Sequence, residues 1–126
     1  MKPLSDEWIQ KAEGDHKVSI DEWGITDPVL DAVCFHAQQC IEKYLKACLT
    51  EKDISFPKTH DLQRLADLLA PVWPGVNRHV HELALLSSAA IETRYPGMSA
   101  DLKGAEDAVA AMKTLRVACR KFLCVE

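Results

Sequence analysis

Apolar residues recur at intervals of three and four along most of this chain, and no run alternates convincingly at a period of two. That rhythm turns one face of a 3.6-residue helix toward a core and argues against strands. Pro3 opens a first helical segment in which Trp8, Ile9, Ala12 and Val18 recur at helical spacing. Gly24 and Thr26-Asp27-Pro28 break it. Asp27 is expected as an N-cap with Pro28 at the first helical position, where its fixed φ suits the helix and no needed donor is lost. From there to about Lys52 runs the longest stripe: Leu30, Cys34, Ala37, Ile41, Leu45 and Cys48. After a loop over 53–58, Thr59 is expected to cap a short helix carrying Leu62, Leu65, Ala66, Leu68 and Leu69, closed by Pro71 and Pro74. Val76, Val80, Leu83, Leu86 and Ala90 predict a fourth segment, stopping near Tyr95-Pro96-Gly97 because proline disfavours helix in the residue before it. Ser99 is the expected cap of a last helix carrying Leu102, Ala105, Val109, Met112, Leu115, Cys119 and Phe122. Four long amphipathic helices and one short one can hide their stripes only against each other. The prediction is therefore an all-α, antiparallel up-and-down helical bundle, a single domain over 1–126.

Composition narrows the setting without naming an activity. With 126 residues, 48% apolar and 27% charged, the chain has enough material for one core and does not read as disordered. No apolar run approaches the roughly 18 residues that would cross a bilayer, and the charged N-terminus lacks the apolar segment of a signal peptide. Five cysteines in that context imply reduced thiols and a cytoplasmic location. The net charge of -4 gives no bulk support to general nucleic-acid binding. The charge is uneven, however: residues 1–31 hold eight acids and three bases, whereas residues 102–126 hold five bases and three acids. The two ends have complementary charge and could lie side by side. The simpler reading is a solvated acidic face at one end and basic C-terminal capping at the other, because exposed ion pairs contribute little.

Chemically suggestive residues fall in three places. In the long second helix, Phe35, Gln39, Glu42 and Lys46 lie within about 40° of one line at 100° per residue, beside the apolar stripe. Such a line either contacts a ligand or another chain, or is a helix-surface pair, Glu42 to Lys46 at i,i+4. In Thr59-His60-Asp61-Leu62, His60 is able to lock the loop through a backbone carbonyl or to move a proton. In Glu92-Thr93-Arg94-Tyr95-Pro96, Arg94 either complements a helix C-terminus or, with Tyr95, presents a guanidinium and a phenol to a phosphate or carboxylate. Phosphate loops, dinucleotide turns, nucleophile elbows and HExxH are missing, and the cysteines form no C-x-x-C pair. Cys34, Cys40 and Cys48 do not share a helix face, and His79 and His81 point to different sides. No metal and no cofactor are expected.

Trp8…Ala12…Asp15, then Phe35-His36-Ala37-Gln38-Gln39-Cys40-Ile41-Glu42-Lys43-Tyr44-Leu45-Lys46-Ala47, then Thr59-His60-Asp61-Leu62 and Arg94-Tyr95-Pro96, resemble the HEPN domain family. The resemblance runs from about Trp8 to Phe122. It implies a compact bundle of about five helices, dimerisation through long helices, and in many members pairing with a minimal nucleotidyltransferase in a toxin–antitoxin-like system. Nucleotide binding has been proposed for the family, and some branches are metal-independent ribonucleases. Those branches carry an arginine, four to six intervening residues and a histidine. None of Arg64, Arg78, Arg94, Arg116 and Arg120 is followed by histidine at that spacing, so the resemblance is to the non-ribonuclease branch and assigns no catalytic residue.

Three readings stay open at this stage. In the first, a homodimeric bundle binds a nucleotide or other anion and docks on a nucleotidyltransferase: Lys43, Lys46 and Arg94 supply charge, His60 and Tyr95 hydrogen-bond, and Gln39 and Glu42 orient the groove or contact a base. In the second, a ribonuclease toxin acts on RNA through a dispersed Arg94 and His60. In the third, an antitoxin-like subunit uses these polar residues only to hold helices and dimer together.

Overall fold

A computed structural model describes residues 1–92 and 95–126, the side chains of Ile91 and Glu92 excepted. Among the described residues, five α-helices follow one another: α1 (Pro3–Trp23), α2 (Leu30–Glu51), the short α3 (Leu62–Leu69), α4 (Val80–Glu92) and α5 (Leu102–Phe122). A 3-10 segment over Pro74–His79 leads into α4. Among the described residues there is no strand. The four long helices and one short helix of the sequence reading are all present.

Long-range hydrogen bonds define the topology. Ser19 Oγ donates to the Val33 carbonyl, and the Lys2 N–H donates to Glu51, so α1 and α2 run antiparallel. Asp31 accepts from the Ala100 N–H near one end of α2, and Tyr44 accepts from Arg120 farther along, so α2 and α5 run parallel across the bundle. α2 is the central member and touches every other α-helix. Its inward side chains Ile41, Tyr44, Leu45 and Leu49 meet Leu62, Leu65, Leu69, Leu83, Leu86, Met112 and Leu115, all essentially without solvent contact. Burying a side chain of this size contributes about 1.5–3 kcal/mol, which is what offsets the ordering of the chain.

Local details depart from the sequence reading at the helix starts. Asp27 does not cap α2: its φ is +55°, in the left-handed region, and the helix begins two residues beyond Pro28. The Val29 N–H donates instead to the Glu22 carboxylate at 2.8 Å. Asp61, not Thr59, caps α3 by accepting from the Arg64 N–H, while Thr59 Oγ1 accepts from the Asp61 N–H one step earlier. Asp101, not Ser99, caps α5 through the Gly104 N–H at 2.7 Å. A Cβ on Gly104 would sit 3.0 Å from that same carboxylate oxygen, so glycine suits the third position. In α1 the inward face is Ser5, Ile9, Ala12, Asp15 and Ser19, and Val18 is exposed. Small residues there let α1 lie close to α2, and the Ser19 hydroxyl satisfies itself on a carbonyl.

Cys34, Cys40, Cys48 and Cys119 are buried, and Cys124 is exposed. Burial pushes the Cys40 thiol far up, and a hydrogen bond with Cys48 together with burial does the same for Cys119. Since the thiolate is the reactive species, titration of the folded protein with a disulfide reagent should modify Cys124 rapidly and alone. The remaining four thiols should follow only in denaturant, giving the total of five; two fast equivalents in the native state would contradict this packing.

Candidate functional site

Three polar groups lie along α2, each centred on one carboxylate. The first belongs to Glu42, which is 3% exposed. Its Oε2 receives the Lys46 ammonium at 3.0 Å, the i,i+4 pair expected from spacing. Its Oε1 faces His60 Nδ1 at 2.9 Å and accepts from Gln38 Nε2 at 3.3 Å and Gln39 Nε2 at 3.5 Å. Gln38 also donates to the His60 carbonyl and accepts from Gln39, so the loop before α3 is held by backbone as well as ring. The Lys46 ammonium lies 5.5 Å from the Trp8 ring centroid and 6.0 Å from that of Phe56, two rings that meet edge to face. For an ammonium so enclosed, a carboxylate and two aromatic faces stand in for water.

An ionised carboxylate can only accept, so a hydrogen bond to it places a proton on Nδ1 of His60; in the neutral ring Nε2 is then the acceptor, and in the doubly protonated ring it is a second donor. The His60 side chain is 67% exposed although its partner is buried. The arrangement is an imidazole fixed in orientation and tautomer by a carboxylate beneath it.

The second group centres on Asp15, a buried residue of α1. It receives Lys43 at 2.5 Å and His36 Nδ1 at 2.8 Å. The third centres on Glu13, nearby on the same helix. Arg116 grips it with two hydrogen bonds of 2.8 and 2.6 Å, Tyr44 Oη donates to it at 2.5 Å, and Arg120 donates to Tyr44 Oη at 2.9 Å. The Arg116 hydrogen bonds pull the Glu13 carboxyl down to about 2, against the opposing effect of burial. Burial and the bond to Glu13 push the Tyr44 phenol up, and the same carboxylate raises Arg116 further. Here the acidic and basic ends of the chain do meet side by side, in place of the separately solvated ends that the charge count favours.

Of the residues singled out in the sequence, Gln39, Glu42, Lys46 and His60 come together in one group. Lys43 faces a different carboxylate, that of Asp15. Tyr95 is exposed in the α4–α5 connection, and none of its described contacts reaches Glu42. Arg94 lies outside the described residues. Sequence reasoning passes over Gln38, Asp15 and His36 as site residues, although all three stand in the motifs. It also passes over Tyr44, which stands in the same motif, and over Glu13, Arg116 and Arg120, for which the only signal is the opposed charge of the two ends. Among the described residues no group of three or more His, Cys, Asp or Glu is placed to hold a metal ion. No helix, among those residues, is long and apolar enough to cross a membrane.

An all-α bundle whose central helix carries Gln38-Gln39, Glu42-Lys43 and Lys46, with a Thr-His-Asp-Leu loop folded onto it, defines a recognisable class of domain. The chain belongs to the HEPN domain family, whose model matches residues 5–122. No curated protein sequence matches it. Among solved structures, it is similar to TT1696 from Thermus thermophilus, at 20% identity and a TM-score of 0.76, over 96% of this chain and 99% of that one. At that identity the likeness establishes the shared fold.

Proposed function

We propose that this protein is a non-catalytic partner subunit: a dimeric HEPN bundle that docks on a minimal nucleotidyltransferase, as in a toxin–antitoxin-like pair. One observation carries the reading. Lys43 and Lys46 of the signature are already neutralised by Asp15 and Glu42, so the motif fastens α1, α2 and the loop to each other and presents His60 outward. An incoming nucleotide or other anion would meet these lysines only in competition with the chain's own carboxylates. The anion-binding part of the reading therefore rests on Arg94 and Tyr95, with Gln39 and with His60 in its doubly protonated form, whose Nε2–H can donate. The test is to purify the protein with the nucleotidyltransferase encoded by a neighbouring reading frame and to measure association by light scattering after gel filtration. The complex should form, and His60→Ala should weaken it at least tenfold, about 1.4 kcal/mol. No association at the highest soluble concentration, or no such neighbouring frame, would sink the partner reading.

A second reading has a specific observation in its favour. An exposed imidazole held by a buried carboxylate is the arrangement that orients a general base, and a metal-independent ribonuclease would need such a group near the RNA 2′-hydroxyl. Incubation with RNA in EDTA distinguishes the two: cleavage that disappears in His60→Ala favours the ribonuclease, and no cleavage with either protein rejects it.

A further inference from the structure

Away from the signature, the 3-10 segment and the end of α5 enclose a cleft of about 320 Å³ lined by Trp73, Gly75, Arg78, His79, Lys121 and Phe122. The size is at the lower end of small-molecule sites. Its lining is basic, whereas the chain as a whole is acidic. The chain carries a net -4, and the lysines and arginines of the three groups on α2 lie against carboxylates. No acidic residue lines this cleft, and neither Arg78 nor Lys121 makes an ion pair with any described residue. A third cation, Lys52, lies 5.2 Å from the Phe122 ring centroid.

Two further features describe a prepared cavity. His79 lines the cleft, and its Nδ1 is buried without a hydrogen-bond partner among the described residues, a costly state for a polar atom. Gly75 keeps the wall open: a Cβ there would sit 3.1 Å from Trp73 Nε1. The wall is stiffened by Trp73 stacked on Phe122, with centroids 4.7 Å apart and planes 19° apart. Guanidinium, ammonium and imidazole converging on one concavity match the multiple acceptor oxygens of a phosphate dianion. The volume leaves room for the group that the phosphate esterifies.

We infer that the cleft between the Pro74–His79 segment and the end of α5 binds a small phosphomonoester, with Arg78 and Lys121 holding the phosphate. It shares no residue with the Glu42 group and does not depend on the partner-subunit reading. Calorimetric titration at low ionic strength with ribose 5-phosphate, AMP, inorganic phosphate and adenosine tests it. Both esters should bind more tightly than inorganic phosphate, and adenosine should give no heat. Arg78→Ala and Lys121→Ala, both at exposed positions, should each weaken ester binding at least tenfold with unchanged circular dichroism melts. Gly75→Leu, which fills the cleft, should abolish binding. Absence of heat with every phosphate, or affinity unchanged within twofold in both charge variants, overturns the site. Affinity for inorganic phosphate equal to that for the esters overturns the ester assignment, and loss of binding in His60→Ala would move the phosphate to the Glu42 group and overturn the cleft.

Discussion

Glu42→Ala should destabilise the protein by about 3–5 kcal/mol, the loss expected when one member of a buried ion pair is removed and the other stays. The lost carboxylate serves four side chains at once: Lys46, His60, Gln38 and Gln39. Lys46 suffers most, because its side chain is only 10% exposed and its ammonium lies under Trp8 and Phe56, where water cannot replace the lost oxygen. His60 is solvated enough to find another acceptor, so its part of the cost is small. This asymmetry orders a series of variants. Lys46→Met removes the cation and leaves Glu42 with His60 and Gln38, and should cost less than Glu42→Ala. The double variant Glu42→Leu with Lys46→Met replaces the pair by apolar volume and should recover much of the stability. Urea unfolding of the four proteins, with unchanged m-values, measures it. Loss of under about 1 kcal/mol in Glu42→Ala, the range of an exposed pair, would mean that Lys46 reaches water and that the group is not the enclosed site described above.

The same group shows what the amino-acid pattern discloses. Ile41, Leu45, Leu62, Leu65, Leu83, Leu86, Met112 and Leu115 are expected inside from spacing alone, and they are buried; periodicity reports the faces of helices well because it depends on local geometry. At Asp27, Thr59 and Ser99 the expected caps fall two residues early. At Thr59 and Ser99 a second capable residue, Asp61 or Asp101, takes the extended backbone angles just before the helix, whereas α2 starts after Val29, which has no capping side chain. Val18 is expected inward and Ser19 carries that position, since a hydropathy pattern does not record a hydroxyl that bonds to Val33 across a close helix contact. At the site, Gln39, Glu42 and Lys46 are readable as one line because they share a helix. His60 joins them through the resemblance of its motif, as nothing local tells the loop over 53–61 where to fold. The clusters of Glu13 and Asp15 draw on partners 21 to 103 residues away, and tertiary proximity of that kind leaves only a faint trace in the charge distribution of a single sequence.

That trace has a measurable consequence in acid. Glu13→Gln should cost about 2 kcal/mol at neutral pH, because the variant keeps the shape of the side chain but replaces two charge-assisted hydrogen bonds with Arg116 by weaker ones. The gap is expected to be smaller than the full depression of the carboxyl would give, since Glu13 is about a third exposed and water screens the pair. Its pH dependence has a fixed sign. The folded carboxyl titrates at about 2 and the unfolded one near its ordinary 4.5, so between those values the unfolded chain binds the extra proton. The stabilisation from Glu13 is therefore fully present above 4.5, declines as the pH falls through that window, and is gone below about 2. Wild type should lose more stability than Glu13→Gln across the window, and the two unfolding curves should converge at its acid end. Tyr44→Phe supplies an internal check: without the phenol that donates to Glu13 and accepts from Arg120, the carboxyl should titrate higher and the stabilisation from Glu13 should be smaller and confined to a narrower pH window than in wild type. A gap between wild type and Glu13→Gln that stays constant down to the acid end would show that Glu13 is not ionised against Arg116 in the folded protein, and would dissolve the link between the acidic start of the chain and its basic end.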